Sequence, residues 1–306
     1  MELVIIINEM AGHGLAKKRG NRLISELTVP FKAEFTTHIG HATAIAQSYS
    51  SKNSATLIIV VGGDGTIHEV IKGVIGSEKM IVGVINGGSG NDFGRAFPIF
   101  KNAQEIERYV LKNKPFSRKQ DIGIVQSTNG AEWFMNNSGF GIDAAVTHSV
   151  NQSTVKAQLN RLGLGKLAYA FILLKELKKF KPFDVTVISN GQKYTYRNSY
   201  LVVASNQPYF GGGMKISPTS LMDDGLIELT IVHNISKLRL LAVFGTVFFG
   251  KHTKFKVVKQ HVAEQFQVIV HAAVIGHADG EFIGNAPVDG AIYFKVSKEA
   301  WQVATN

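Results

Sequence analysis

The run Ala55-Thr56-Leu57-Ile58-Ile59-Val60-Val61 constrains this chain more than any other segment. It is rich in β-branched residues and closes on Gly62-Gly63-Asp64-Gly65-Thr66. Such a run reads as a strand buried on both faces of a parallel sheet. A helix is expected directly after it, with Thr66 as cap, Glu69 completing a capping box, and Val70, Ile71, Val74 and Ile75 at helical spacing. Glycines at a helix start bare backbone N–H groups, and the helix dipole adds to their pull on phosphate oxygens. The loop lacks the GxxxxGK[ST] lysine of a P-loop and the GxGxxG of a dinucleotide fold. Taken alone, it is also open to a blander reading, a tight turn that needs glycine only for positive φ.

The 306 residues suffice for about two domains with buried cores. Cysteine is absent, which excludes disulfides, thiol chemistry and Cys-ligated zinc, and is compatible with a reducing cytoplasm. The N-terminal Met1-Glu2-Leu3-Val4-Ile5-Ile6-Ile7-Asn8 has no basic leader and an apolar run too short for a signal peptide, so it reads as the first strand. Leu238 to Gly250 contains Arg239 and two glycines and falls short of the roughly 20 residues that span a bilayer; it reads as a buried or interfacial helix. A net charge of +10 attracts nucleic acid, anionic lipid or phosphorylated small molecules by the same physics. No RNA-binding aromatic signature or zinc-finger spacing accompanies the basic residues, so nucleic acid is not an expected partner.

The first part of the chain alternates strands and helices. Strand Leu3 to Asn8 leads through Gly12 and Gly14 to a helix ending near Leu27; a strand follows near Phe31 to Thr37, then a helix from His41 to Ser50. After the signature strand and its helix come strand Met80 to Ile85, a glycine loop and a helix near Ala103 to Leu111. This order predicts an α/β domain with a doubly wound parallel sheet, whose ligands bind beyond the carboxyl ends of the strands. Beyond Asp121 the pattern shifts to alternating strands, among them Trp133 to Asn137, Asp184 to Ser189, Tyr194 to Ser205 and Leu226 to Val232, with a hairpin turn at Asn190-Gly191. Helical patterns interrupt at Lys166 to Phe180 and Ser236 to Phe249. The expected division is an α/β domain over 1–122 joined by a returning segment 293–306, and a β-rich domain over 123–292.

A second glycine loop, Asn86-Gly87-Gly88-Ser89-Gly90-Asn91-Asp92-Phe93-Gly94-Arg95, gathers flexible backbone, a hydroxyl, an amide and a carboxylate. It could meet phosphates through N–H groups and hold Mg²⁺ through Asp92 and water, since magnesium prefers oxygen ligands. Together with Gly62 to Thr66, this loop resembles the catalytic domain of the diacylglycerol kinase and sphingosine kinase superfamily. Three further segments extend the resemblance over nearly the whole chain: Asn136 to Ala144, Asn206 to Pro218 with Phe210-Gly211-Gly212-Gly213-Met214, and Asp279-Gly280-Glu281. The first motif alone is shared with NAD kinases, and more loosely with phosphofructokinases. The five in this order resemble bacterial soluble lipid kinases.

The resemblance implies an NAD kinase-like nucleotide-binding domain, a β-sandwich domain for lipid, and an interdomain cleft where ATP meets a lipid hydroxyl. By position, Asn8, Gly12 and Gly14 match the family's first nucleotide loop, Thr36 its second-strand threonine, and Gly62, Gly63, Asp64, Gly65, Thr66, Ile67 and His68 its phosphate loop. Ser89, Gly90 and Asn91 match the second loop, with serine where threonine is usual. Asp64, Asp92 and Asp121 match carboxylates that organise Mg²⁺, while Leu221, Asp224 and Leu226 match a separate structural metal site. Asp279 and Glu281, after an apolar strand and beside a glycine that permits a sharp turn, are the candidates for the proton acceptor; strand alternation would point both to one face, so the sequence does not choose between them, and an acidic surface turn is the blander alternative. Two loops depart from the pattern: Glu9 and Met10 follow Asn8 where proline is common, and Asn86-Gly87-Gly88 replaces a proline-containing approach. The histidines, including His41, His68 and His277, form no zinc-protease pair and read as structural or solvent-exposed.

The resulting expectation is an ATP- and Mg²⁺-dependent lipid kinase, with diacylglycerol giving phosphatidic acid as first choice. A kinase of a soluble acceptor such as NAD, and a catalytically silent lipid-binding protein, are the alternatives. The expected location is cytoplasmic, with the basic surface drawing the enzyme to the anionic inner face of the membrane. A homodimer is expected only from the family.

Overall fold

The computed structural model describes residues 1–52, 54–88, 90–112, 116–152 and 165–305. The chain runs β1 (Glu2–Ile7), α1 (Leu15–Glu26), β2 (Lys32–Phe35), α2 (His41–Ser50), β3 (Thr56–Gly62), α3 (Asp64–Val74), β4 (Met80–Asn86), α4 (Asp92–Ala96), α5 (Ala103–Val110) and β5 (Ser117–Gln120). Next come β6 (Gly123–Ser127), β7 (Gly130–Phe134), β8 (Asn137–Gly141), α6 (Ile142–Gln152), α7 (Gly165–Lys179), β9 (Phe183–Ser189), β10 (Gln192–Ser205), β11 (Tyr209–Phe210), β12 (Met214–Lys215) and β13 (Ile227–His233). The rest is α8 (Lys237–Val247), β14 (Val258–Ala263), β15 (Gln265–Val270), β16 (Ile275–Ala278), β17 (Glu281–Asn285), β18 (Ala291–Val296) and β19 (Trp301–Ala304). Two compact units result: Met1–Asp121 with Gly211–Gly213 and Lys298–Asn306, and Ile122–Phe210 with Met214–Ser297.

The first unit holds a six-stranded sheet in the order β2-β1-β3-β4-β19-β5. Strands β1, β3 and β4 pair in parallel, Leu3 opposite Leu57 and Leu57 opposite Ile81. Their apolar runs are continuous because both faces are covered: Ile5, Ile6, Ile58, Ile59 and Val60 are fully buried. The chain moves from β1 outward to β2, then from β3 the other way to β4, so the order reverses between β1 and β3. Loops beyond the carboxyl ends of those strands flank the crevice where such sheets take ligands.

Two expectations are corrected here. Helix α3 begins at Asp64 with Gly63 as N-cap, so Thr66 lies inside the first turn and caps nothing; its Oγ1 accepts the Asn8 amide at 2.9 Å. Glu69 completes no capping box and instead accepts the Ala42 N–H at 3.1 Å, in the first turn of α2, whose own N-cap is the side-chain-free Gly40. The returning segment is also shorter than expected: β18 stays in the second unit, paired with β15 and β6, and β19 alone joins the first sheet beside β4.

The second unit is an antiparallel sheet in the order β17-β16-β8-β10-β9-β15-β18-β6-β7, with β13 on β10 and β14 on β13. Phe134, Phe140, Val202, Ile231, Phe266 and Phe294 form its main core. A second apolar layer packs α6, α7 and α8 against Tyr200, Leu201, Val203 and Val232. The hairpin at Asn190-Gly191 forms with both residues at positive φ, 49° and 74°, the geometry that an Asn-Gly pair favours. The expected single strand Trp133 to Asn137 is two strands broken at Met135-Asn136, because N–H groups there bond to a side chain rather than to a neighbouring strand. The apolar stretch from Leu238 forms α8, which buries Leu240, Val243 and Val247 and leaves Leu238 exposed. Among the described residues no helix is long and apolar enough to cross a membrane.

Candidate active site

Three loops at the carboxyl ends of β1, β3 and β4 meet backbone to backbone in the first unit. A Cβ on Gly88 would stand 2.5 Å from the Gly63 Cα, and one on Gly12 would strike the Gly87 carbonyl. Gly12, His13 and Gly14 take left-handed φ of 59°, 55° and 88°, which turns the first loop sharply into α1. Asn8 anchors it, bonding Val61 O through its N–H and Thr66 through its side chain. Thr36 closes β2 with an N–H bond to Ile7 O at 3.0 Å, and Arg19 donates to the Asn86 carbonyl.

Beside this contact, Gly65 faces open space and is exposed. The N-cap Gly63 offers no side-chain acceptor, so the N–H groups opening α3 are oriented for an outside anion. Ile67 is not among those donors: its N–H bonds Gly63 O at 3.1 Å and its side chain is buried. His68 is half-buried in the same turn.

The acids close the loop pair. Asp64 accepts the Phe93 N–H at 3.0 Å, at the start of α4, and Gly90 lies so close to its other oxygen that a Cβ would come within 2.5 Å. Asn91 holds the turn in the left-handed region at φ 56°. Asp92 is 5% exposed; it accepts the Gly212 N–H at 2.8 Å and Arg95 Nη1 at 2.9 Å, while Arg95 also donates to Gly90 O. Burial raises the Asp92 pKa and the negative charge of Asp64 adds to the rise; N–H groups of Gly212 and Gly213 and the Arg95 guanidinium pull the other way. Two neighbouring carboxylates, one hard to ionise in the dry interior, form an all-oxygen donor set that suits Mg²⁺. Asp121 directly follows β5, and among the described residues no group of three His, Asp or Glu gathers as a metal cage. Ser89 lies outside the described residues.

Leu221, Asp224 and Leu226 share the loop before β13. Asp224 Oδ1 accepts the Leu226 N–H at 3.0 Å across Gly225, at φ 73°, and Leu221 is exposed.

In the second unit the three remaining motifs converge. The Asp279 carboxylate accepts backbone N–H groups of Met135, Asn136 and Asn137 at 2.6, 2.8 and 3.1 Å, and its own N–H bonds Asn137 O at 2.8 Å. Asn206 bonds Met135 O and Asn136 O, and Gln207 donates to the Asn136 side chain.

The expectation that Asp279 and Glu281 share one strand face is corrected. Asp279-Gly280 is a two-residue hairpin turn at φ 49° and 90°, and Glu281 is the first residue of β17, paired with Ala278. The turn gives the two acids different surroundings: backbone donors engage Asp279, while Glu281 is exposed.

His277, read from sequence as structural or exposed, is 1% exposed and paired. Its Nε2 lies 2.8 Å from Asp143 Oδ2, its ring stacks on Phe210 at 5.5 Å, and the Gly280 N–H donates to its Nδ1 at 3.3 Å. The pair was hard to see because its members lie 134 residues apart, although each sits in or beside a motif segment. Sequence reasoning also missed an apolar cavity of about 70 Å³ in the second unit. Ile142, Val146, Leu173, Leu177, Val243 and Phe244 line it, and its walls are apolar apart from Asp143 and His252.

Comparison with known proteins agrees with both units. The diacylglycerol kinase catalytic domain matches residues 2–123, and the YegS C-terminal NAD kinase beta sandwich-like domain matches residues 137–304. The chain belongs to the diacylglycerol kinase-like family of lipid kinases. It is 30% identical to a Bacillus subtilis diacylglycerol kinase over 300 residues, covering 91% of this chain and 92% of that protein. A Mycobacterium tuberculosis diacylglycerol kinase is 26% identical over 299 residues, 94% of this chain and 91% of that protein. The fold is that of a Bacillus anthracis diacylglycerol kinase crystal structure, with a TM-score of 0.70 at 19% identity, covering 100% of this chain and 97% of that one.

Proposed function

We propose that this lipid kinase transfers the γ-phosphate of ATP to a hydroxyl of diacylglycerol or a closely related lipid. The observation that carries the lipid acceptor is the apolar cavity in the second unit, whose lining suits an acyl chain rather than a charged dinucleotide. The donor reading rests on the glycine loops and the N–H groups opening α3. Asp64 and Asp92 would hold Mg²⁺, which when bound neutralises phosphate charge. Asn8 keeps the first loop against α3 through Thr66, and Arg95 fixes Asp92 beside Asp64.

Glu281 is the general base in this reading. Asp279 already accepts three backbone N–H bonds, whereas the exposed Glu281 can take a proton from the attacking hydroxyl. Membrane attachment falls to the outer faces of α7 and α8. Phe171, Leu174 and Leu238 are exposed there amid Lys175, Lys178, Lys179 and Lys237, and the inner faces of the same helices line the cavity.

The test is transfer of labelled γ-phosphate from ATP with Mg²⁺, offered in parallel to diacylglycerol, monoacylglycerol, sphingosine, undecaprenol and NAD. Labelled phosphatidic acid as main product is expected. Labelling of NAD alone would overturn the lipid acceptor, and lipid binding without any transfer would make the protein a silent binder.

A further inference from the structure

The turn that presents Glu281 is clasped from one side by a single helix. Asn151 donates to Gly280 O at 3.0 Å, the Thr147 methyl faces Gly280 at the distance of ordinary contact with an added Cβ, and the His148 ring lies 5.1 Å from that of Phe282. One turn earlier on α6, Asp143 reaches His277, which accepts the Gly280 N–H. Positions 143, 147 and 151 recur every four residues and so share one face of α6.

The bonds fix the state of the imidazole. Since Nδ1 accepts from Gly280, Nε2 carries the proton and donates to Asp143. Both side chains are withdrawn from water, with 2% of His277 and 8% of Asp143 exposed, and Phe210 covers the ring. A hydrogen bond to a carboxylate in such surroundings is stronger than its exposed counterpart. Asp143 also lines the apolar cavity, so the element that would contact the lipid chain also holds the turn next to Glu281.

We propose that Asp143 and His277 are positioning residues for the phosphoryl transfer, fixing the Asp279-Gly280 turn against α6 so that the Glu281 carboxylate is held where the lipid hydroxyl arrives. This rests on the reading of Glu281 as base. The pair takes no part in proton transfer; it acts through the Gly280 N–H, and α6 sets the place of the turn within the second unit.

The test uses the full chain with His277→Phe, which keeps a ring for Phe210, and with Asp143→Leu, Asp143→Asn and Asn151→Ala. For His277→Phe and Asp143→Leu, kcat toward diacylglycerol should fall about 10- to 100-fold, as small misplacements of a reacting group do, with the KM for ATP unchanged. Asp143→Asn keeps an oxygen that accepts from Nε2 and should recover most of the rate, and Asn151→Ala should lie between. Amide hydrogen exchange at Gly280 to Phe282 should quicken in the two severe variants while β10 stays protected. Unchanged kcat, or equal loss in Asp143→Asn and Asp143→Leu, would overturn the proposal, as would unaltered exchange at the turn. Absence of lipid phosphorylation by the unaltered protein would instead refute the kinase reading, and the exchange measurement would still judge the clasp.

Discussion

The two units build polar sites by opposite means. In the first, the groups are backbone N–H groups and carboxylates brought together where glycine loops from three strand ends touch: Gly12 on Gly87, Gly88 on Gly63, Gly90 on Asp64. In the second, side chains reach groups far away in sequence, such as Asp279 to the Met135 N–H and His277 to Asp143. The first arrangement leaves Gly65 exposed at a helix start, a setting that favours anions, and the second adjoins an apolar cavity through Asp143. The proposed transfer from a nucleotide to a lipid would use both kinds of surroundings.

Breaking the acid pair should give the largest effect. Asp64→Asn or Asp92→Asn should lower kcat by at least about 100-fold, through lost neutralisation of phosphate charge, measured with saturating Mg²⁺-ATP and diacylglycerol. Retained activity in both would detach the carboxylates from the reaction. The backbone contact comes next: Gly88→Ala should destabilise the first unit by about 1–3 kcal/mol, the usual cost of overpacking, and weaken ATP binding while lipid binding persists. Denaturant unfolding with separate ligand titrations checks this, and parallel loss of both ligands would break the separation of roles. Filling the cavity with Val146→Phe should raise the KM for long-chain diacylglycerol several-fold, more than for short-chain forms, because bulk there competes with the chain.

The smallest expected effect is the response to pH, and its sign differs between the units. Burial, aided by Asp64, raises the Asp92 pKa, so its contribution to stability is full below the ordinary carboxylate value and lost as pH rises through the raised one. Asp92→Asn should flatten that window even though it destroys activity. His252 is lowered by burial, and His233 and His261 by burial and then by the charge of Lys259. The unfolded chain therefore binds protons there before the fold does, and the stability from these neutral imidazoles is lost as pH falls from the ordinary histidine value through the lowered ones. Melting followed from pH 7.5 to pH 5 should show the second unit weakening; a flat response would contradict the burial of these rings.

How much of this was legible in the sequence follows the same division. The strands and helices of the first unit were readable because each carries its own period and punctuation, and the glycine loops announce their chemistry within ten residues. The start of α3 was misread because Thr66 and Glu69 serve tertiary bonds to Asn8 and Ala42 instead of the local cap that their spacing suggests. In the second unit the Asn190-Gly191 and Asp279-Gly280 turns were legible from their turn chemistry, but strand alternation wrongly pointed Asp279 and Glu281 to one face because the turn lies between them. The break at Met135-Asn136 and the burial of His277 depend on partners more than 130 residues away, which no local pattern encodes.

The division of labour is tested most directly by Glu281→Gln, followed by calorimetric titration of Mg²⁺-ATP and by labelled transfer to diacylglycerol. Loss of a general base costs about 10²- to 10⁴-fold in rate, so kcat should fall within that range while the Kd for Mg²⁺-ATP stays as in the unaltered protein. Transfer at a rate within about threefold of the unaltered enzyme, far outside the range for a lost base, would contradict the assignment of acceptor activation to the second unit.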